Sequence, residues 1–163
     1  MKKLFLILLL GVSQLSLAQN HKIVTLLNKQ LQKEMTHFYD DEERENFIVT
    51  EPFRIDENSI LHFGYTIKSY DGGKISVYSK IPLNKIINIG RDHNIYFETL
   101  DNDVTETQTH YEKNGNIVKT KTEQTHLFST EINKEHYPNR FMKRLVKAFK
   151  KAGYEVECNF INP

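Results

Sequence analysis

The stretch Ile60-Leu61-His62-Phe63-Gly64-Tyr65-Thr66-Ile67-Lys68-Ser69-Tyr70-Asp71-Gly72-Gly73-Lys74-Ile75-Ser76-Val77-Tyr78-Ser79-Lys80-Ile81 decides the fold class. Over residues 60–68, Leu61, Phe63, Tyr65 and Ile67 alternate with His62, Gly64, Thr66 and Lys68. A period of two marks a strand with one face toward a core. Asp71-Gly72-Gly73 is a turn signal. Residues 74–81 then form a second strand, with Ile75, Val77 and Tyr78 as packing residues. Two strands around a tight turn must be antiparallel.

Further strands extend the pattern on both sides. Residues 47–49, 53 and 55 predict a first strand with a break at Pro52. Residues 82–86 turn the chain into Ile87 and Ile89, and residues 94–100 form a short strand on Ile95, Tyr96 and Phe97. Residues 104–111 and 117–128 flank Asn114-Gly115, a strong hairpin signal. A two-residue turn there pairs Lys113 with Asn116, Tyr111 with Val118, Thr109 with Thr120 and Thr107 with Thr122. Both faces of this ribbon are polar, so it is expected to project or to edge the sheet. An exposed edge of this kind can accept a strand from another chain. Residues 154–160 predict a final strand.

Two amphipathic helices bracket the strands. Residues 20–38 place Ile23, Leu27, Leu31 and Phe38 on one side, with Leu26 and Met35 beside them, while Lys22, Lys29, Gln32 and Lys33 face away. Residues 138–152 place Phe141, Leu145, Ala148, Phe149 and Ala152 on a buried stripe, and Gly153 ends the helix. The fold class is therefore α+β: an N-terminal helix, a strongly bent antiparallel meander of six to seven strands, and a closing C-terminal helix.

Residues 1–18 read as an export signal. Lys2 and Lys3 precede the apolar run Leu4 to Leu10, and Ser16-Leu17-Ala18 is a small-x-small cleavage site. The expected organisation is a signal peptide over 1–18, a helix and acidic linker over 19–45, and a sheet with C-terminal helix over 46–163, the last two forming one domain. Cleavage would remove two of the 22 basic residues and leave 20 against 21 acidic ones. A chain near neutrality has no global field for nucleic acid, and no stable membrane anchor remains after cleavage. Periplasm or the cell exterior is the expected location. Cys158 is the single cysteine, so an internal disulfide is impossible, and it reads as a packed residue of the last strand.

From residue 47 to 154 the pattern resembles the pleckstrin-homology-like superfold. The carriers are Ile81-Pro82-Leu83-Asn84-Lys85-Ile86-Ile87-Asn88-Ile89, Asn94-Ile95-Tyr96-Phe97-Glu98-Thr99 and the closing helix over 141–152. That resemblance implies a bent sheet closed by the helix. Lys68, Lys74 and Lys80 do not make the superfold's phosphoinositide cluster, so lipid-headgroup binding does not carry over. The chain is also similar to small exported proteins of Bacteroidetes-type bacteria, whose signals end as Leu17-Ala18-Gln19 does.

Catalytic signatures are missing from the sequence: it has no nucleophile elbow, no His-Glu-x-x-His and no phosphate-cradling glycine loop. None of the seven histidines stands at helical ligand spacing from another. His62 reads as a surface histidine, Asp92-His93 as a solvated turn, and Asp101-Asn102-Asp103 with Glu106 as turn chemistry. Asp40 to Glu45 is an acidic run without the spacing of a calcium loop. No catalytic, cofactor-binding or metal-binding residue is assigned, and no cofactor is expected.

One coherent surface stands out. Arg140, Lys143, Arg144, Lys147, Lys150 and Lys151 share the outer face of the last helix with no acidic residue among them. They are the candidate partner-binding residues. The expected function is a non-catalytic, exported binding protein acting on another protein, of immunity or inhibitor type. The alternative is a carrier holding a small ligand or lipid between sheet and helix; an enzyme ranks third.

Overall fold

A computed structural model describes residues 2–37, 46–69, 72–133 and 139–158, with the side chains of the first helix described from Gln19 to Thr36. Helix α1 spans Lys2–His37. Strands β1 (Phe47–Ile55), β2 (Ile60–Lys68) and β3 (Lys74–Pro82) follow, and a single 3₁₀ turn, Leu83–Lys85, leads to β4 (Ile86–Arg91). Then come β5 (Asn94–Thr99), β6 (Val104–Tyr111), β7 (Ile117–Thr125), β8 (Leu127–Asn133) and helix α2 (Asn139–Lys151). The fold is α+β.

The strands form two antiparallel sheets, ordered β1-β2-β3-β6-β7 and β4-β5-β8. Eight strands are described where six to seven were expected, and they are not a simple meander. The chain leaves the first sheet at Pro82, makes β4 and β5, and returns beside β3 as β6. The run expected over 117–128 divides at His126, because β8 pairs with β5 of the other sheet. The strand expected over 154–160 is reduced to an isolated parallel bridge between Asn88 and Glu157; residues 159–160 lie outside the described residues. Among the described residues no helix is long and apolar enough to cross a membrane.

One hydrophobic cluster joins both helices to both sheets. Ile23, Leu27 and Leu31 of α1, Phe53, Leu61, Phe63 and Ile81 of the first sheet, Ile89, Phe97 and Phe128 of the second, and Leu145 and Phe149 of α2 are all buried in it. Burial of such large side chains contributes about 1.5–3 kcal/mol each. The helix periodicity thus reads correctly on both helices; Phe38 lies outside the described residues. Asn28 of α1 reaches into β1, where the register slips between Glu51 and Arg54, and bonds the backbone of Phe53 there.

The β6–β7 turn departs from the two-residue form. Glu112 accepts from the Gly115 N–H at 2.9 Å and donates to the Asn116 carbonyl at 2.9 Å. Gly115 has φ of +88°, whereas Asn114 is not among the residues of positive φ. A type I′ turn needs positive φ at both central residues; one left-handed glycine after a type I turn makes a bulged loop instead. Tyr111 consequently pairs with Ile117 rather than Val118, and Lys113 is not paired with Asn116. A bulge before His110 restores the expected pairs Thr109–Thr120 and Thr107–Thr122. The ribbon edges the sheet, with β7 outermost.

Helix α2 ends as its sequence directs. Gly153 (φ +89°) lets its N–H bond the Lys150 carbonyl at 3.2 Å, and the Tyr154 N–H reaches the Phe149 carbonyl at 3.1 Å. This is a Schellman cap, and its usual apolar clasp is present in the Phe149–Tyr154 ring contact at 6.2 Å.

Candidate functional site

Burial of one side of α2 in the core leaves its other face in solvent. Arg140, Lys143, Arg144, Lys147, Lys150 and Lys151 are all exposed, while Phe141, Met142, Leu145, Ala148 and Phe149 are buried on the opposite side. None of the six cations makes an ion pair with a described residue. The acidic run at residues 40–45, the natural internal counterweight, lies outside the described residues. Three like-charge pairs four residues apart, 140–144, 143–147 and 147–151, each cost roughly 0.2–0.5 kcal/mol in an isolated helix. Only Lys150 and Lys151 gain from the helix C-terminus.

The lysines also rim a groove. Lys143, Val146, Lys147, Lys150, Lys151 and Cys158 enclose about 460 Å³. Its floor is apolar, made of Val146, Cys158 and the methylene stems of the lysines. Burial pushes the Cys158 thiol up, and nearby Arg91 and Lys150 only partly offset this. The thiol is therefore not activated as a nucleophile. Lys150 also borders a second, larger groove of about 810 Å³ between β4, β5 and the segment after α2. There Asn88 donates to Glu98 at 2.9 Å.

His62 is not a surface histidine. It is 6% exposed, on the outer face of the first sheet. Its Nε2 lies 3.0 Å from Asp56 Oδ2 and its Nδ1 2.6 Å from the Tyr78 hydroxyl. Asp56 Oδ1 also accepts the N–H groups of Asn58 and Ile60, both at 2.9 Å. Burial pushes the Asp56 carboxyl up, but the bonds from Ile60, His62 and Asn58 together outweigh it and hold the group low. Burial raises the Tyr78 phenol, helped by Glu51. A carboxylate accepting from imidazole, which accepts from a protonated phenol, satisfies three polar groups and leaves no activated nucleophile. Sequence spacing hid this cluster: Tyr78 lies on β3, paired with Gly64, and reaches His62 diagonally across the sheet.

The other candidates separate. Asp92 and His93 are exposed in the β4–β5 turn, as expected of a solvated turn. They border an open groove of about 590 Å³ with His126, Glu98 and Glu106, residues far apart in sequence. Asp103 pairs with Lys85 at 3.5 Å and its N–H bonds Thr99, while Asn102 takes φ of +51°, a local turn. His110 faces Lys119 across the ribbon. Among the described residues no group of three or more His, Cys, Asp or Glu could hold a metal ion.

Comparison with known proteins finds no matching family model, no similar curated protein and no similar solved structure.

Proposed function

We propose that the chain is an exported, non-catalytic binding protein that engages an acidic protein partner through the outer face of α2, in the manner of an immunity or inhibitor protein. The observation that carries this reading is the set of six exposed cations without a described counter-ion, four of them, Lys143, Lys147, Lys150 and Lys151, set around an apolar groove. Such a face stores like-charge repulsion that an anionic partner relieves, and the groove adds an apolar anchor point. The pleckstrin-homology-like kinship stays part of the proposal. An antiparallel sheet closed by a C-terminal helix supports it; the return of β6 to β3 departs from a consecutive meander.

The test uses the purified protein as bait in extract and secreted fractions of its own host, beside a Lys143→Glu, Lys147→Glu, Lys150→Glu variant. The substitutions are on exposed positions, so folding is retained. A partner recovered by the native protein at low salt and lost with the variant supports the proposal. The same proteins recovered by both, or none by either, overturns it.

A carrier is the second reading, favoured by the apolar floor and cationic rim of the 460 Å³ groove, which suit an anionic amphiphile. Phe149 packs against Phe97 at 5.5 Å, so the space between sheet and helix is filled and the ligand would lie in the surface groove. Native mass spectrometry showing a retained lipid-sized ligand, displaced by the triple substitution, distinguishes this reading from the first.

A further inference from the structure

Strand β7 is an open edge. It pairs with β6 on one side, and no described strand lies on the other. Residues 117–122 are exposed on both faces, including Ile117 at 63% and Val118 at 62%. Exposed edges are usually blunted by charge, proline or brevity. Here the nine-residue strand Ile117–Thr125 contains no proline, and its charges are of both signs: Lys119, Lys121 and Glu123. The question is what they match.

They match a second copy of themselves. Two β7 strands related by a two-fold axis normal to the sheet pair antiparallel, with opposed residues on the same face. Three such registers keep at least seven of the nine residues overlapped, centred on Thr120, Lys121 or Thr122. Centring on Thr120 opposes Lys119 to Lys121 twice. Centring on Lys121 opposes that lysine to itself. Centring on Thr122 places Lys121 of each copy opposite Glu123 of the other, with no like charges facing. It also places Thr122 against Thr122 and Thr120 against Gln124. The hydroxyl rows already linking Thr107 to Thr122 at 3.0 Å and Thr109 to Thr120 at 3.4 Å then continue across the axis. Like charges directly opposed destabilise a strand pair, and opposite charges stabilise it.

We propose that two copies of this chain associate through β7, in the register centred on Thr122, to form one continuous ten-stranded antiparallel sheet. The contact is small by the standard of stable dimers, so association is weak and concentration-dependent. The Lys121–Glu123 contact within each strand does not prevent the exchange, since both side chains are solvent-exposed and an exposed ion pair of this kind contributes little.

The test is sedimentation equilibrium of the purified protein from about 1 to 500 µM, spanning the range of weak association, with Lys121→Glu, Glu123→Lys and the double exchange. Glu123→Lys opposes two lysine pairs across the axis and meets lysine against lysine in the other two registers as well, so it is expected to weaken dimerisation at least tenfold. Lys121→Glu opposes two glutamate pairs in this register but makes the two contacts with Lys119 in the Thr120-centred register attractive, so it is expected to keep association by a shift of register. The double exchange restores both attractions and is expected to recover native association. Thermal melts of the variants at low concentration check that the monomer is intact. A monomer throughout the range, a dimer indifferent to Glu123→Lys, or a double exchange that fails to recover overturns the proposal.

Discussion

Asn28 of α1 holds both backbone groups of Phe53: its Nδ2 donates to the carbonyl at 2.8 Å, and its Oδ1 accepts the N–H at 2.9 Å. Phe53 sits where β1 bulges away from β2, so neither group has its ladder partner there. One side chain thereby docks a helix onto a sheet at the place where the sheet cannot satisfy itself. Phe53 in turn stacks on Phe63 at 4.2 Å, inside the core.

Asn28→Ala strands two partly buried backbone groups and is expected to cost about 2 kcal/mol. Urea denaturation measures it. At acidic pH, where its carboxyl is protonated, Asn28→Asp keeps an acceptor and one O–H donor and should fall between the native protein and Asn28→Ala.

Gly90 pairs with Tyr96 across β4 and β5, and any Cβ at position 90 would overlap the Tyr96 ring. Gly90→Ala is expected to destabilise by about 1–3 kcal/mol as an overpacked site. Adding Tyr96→Ala should cost less than the two single changes summed, with a coupling of roughly 1 kcal/mol. Strict additivity in thermal melts would sink this reading.

Asp56 has its carboxyl held below the usual value in the folded state: burial raises it, and the bonds from Ile60, His62 and Asn58 more than reverse that. A lowered folded pKa contributes stability above the unfolded value, near about 3.9, and that stability is lost as pH falls through the folded value. The native protein should therefore exceed Asp56→Asn in melting temperature at pH 7, and the gap should close as pH drops below about 4. At the alkaline end Tyr78 and Tyr96, both raised by burial, predict loss of stability above about pH 10.

Cys158 has a thiol raised by burial, so it is protonated at neutral pH. Iodoacetamide is expected to react more slowly with the native protein than with the urea-unfolded chain, and the difference should narrow as pH rises. Equal rates at pH 7 would show the thiol to be freely solvated.

Much of this was legible in the residues themselves. The alternation of Leu61, Phe63 and Tyr65, the stripe from Phe141 to Phe149 and the stop at Gly153 are local patterns, set by side-chain period and by the glycine backbone. The six cations of α2 belong with them, because one helix places its own face without help from the rest of the chain.

Other features arose only when distant segments met. The division of the strands into two sheets depends on β8 finding β5 and β6 finding β3, pairings that no local signal encodes. His62 became buried because Asp56 and Tyr78 close over it from a loop and a neighbouring strand, although its own alternation places it away from the core. Local sequence determined which elements form and which side each one hides. Partners between elements were decided by tertiary packing, because burial and hydrogen-bond satisfaction are shared among residues far apart along the chain.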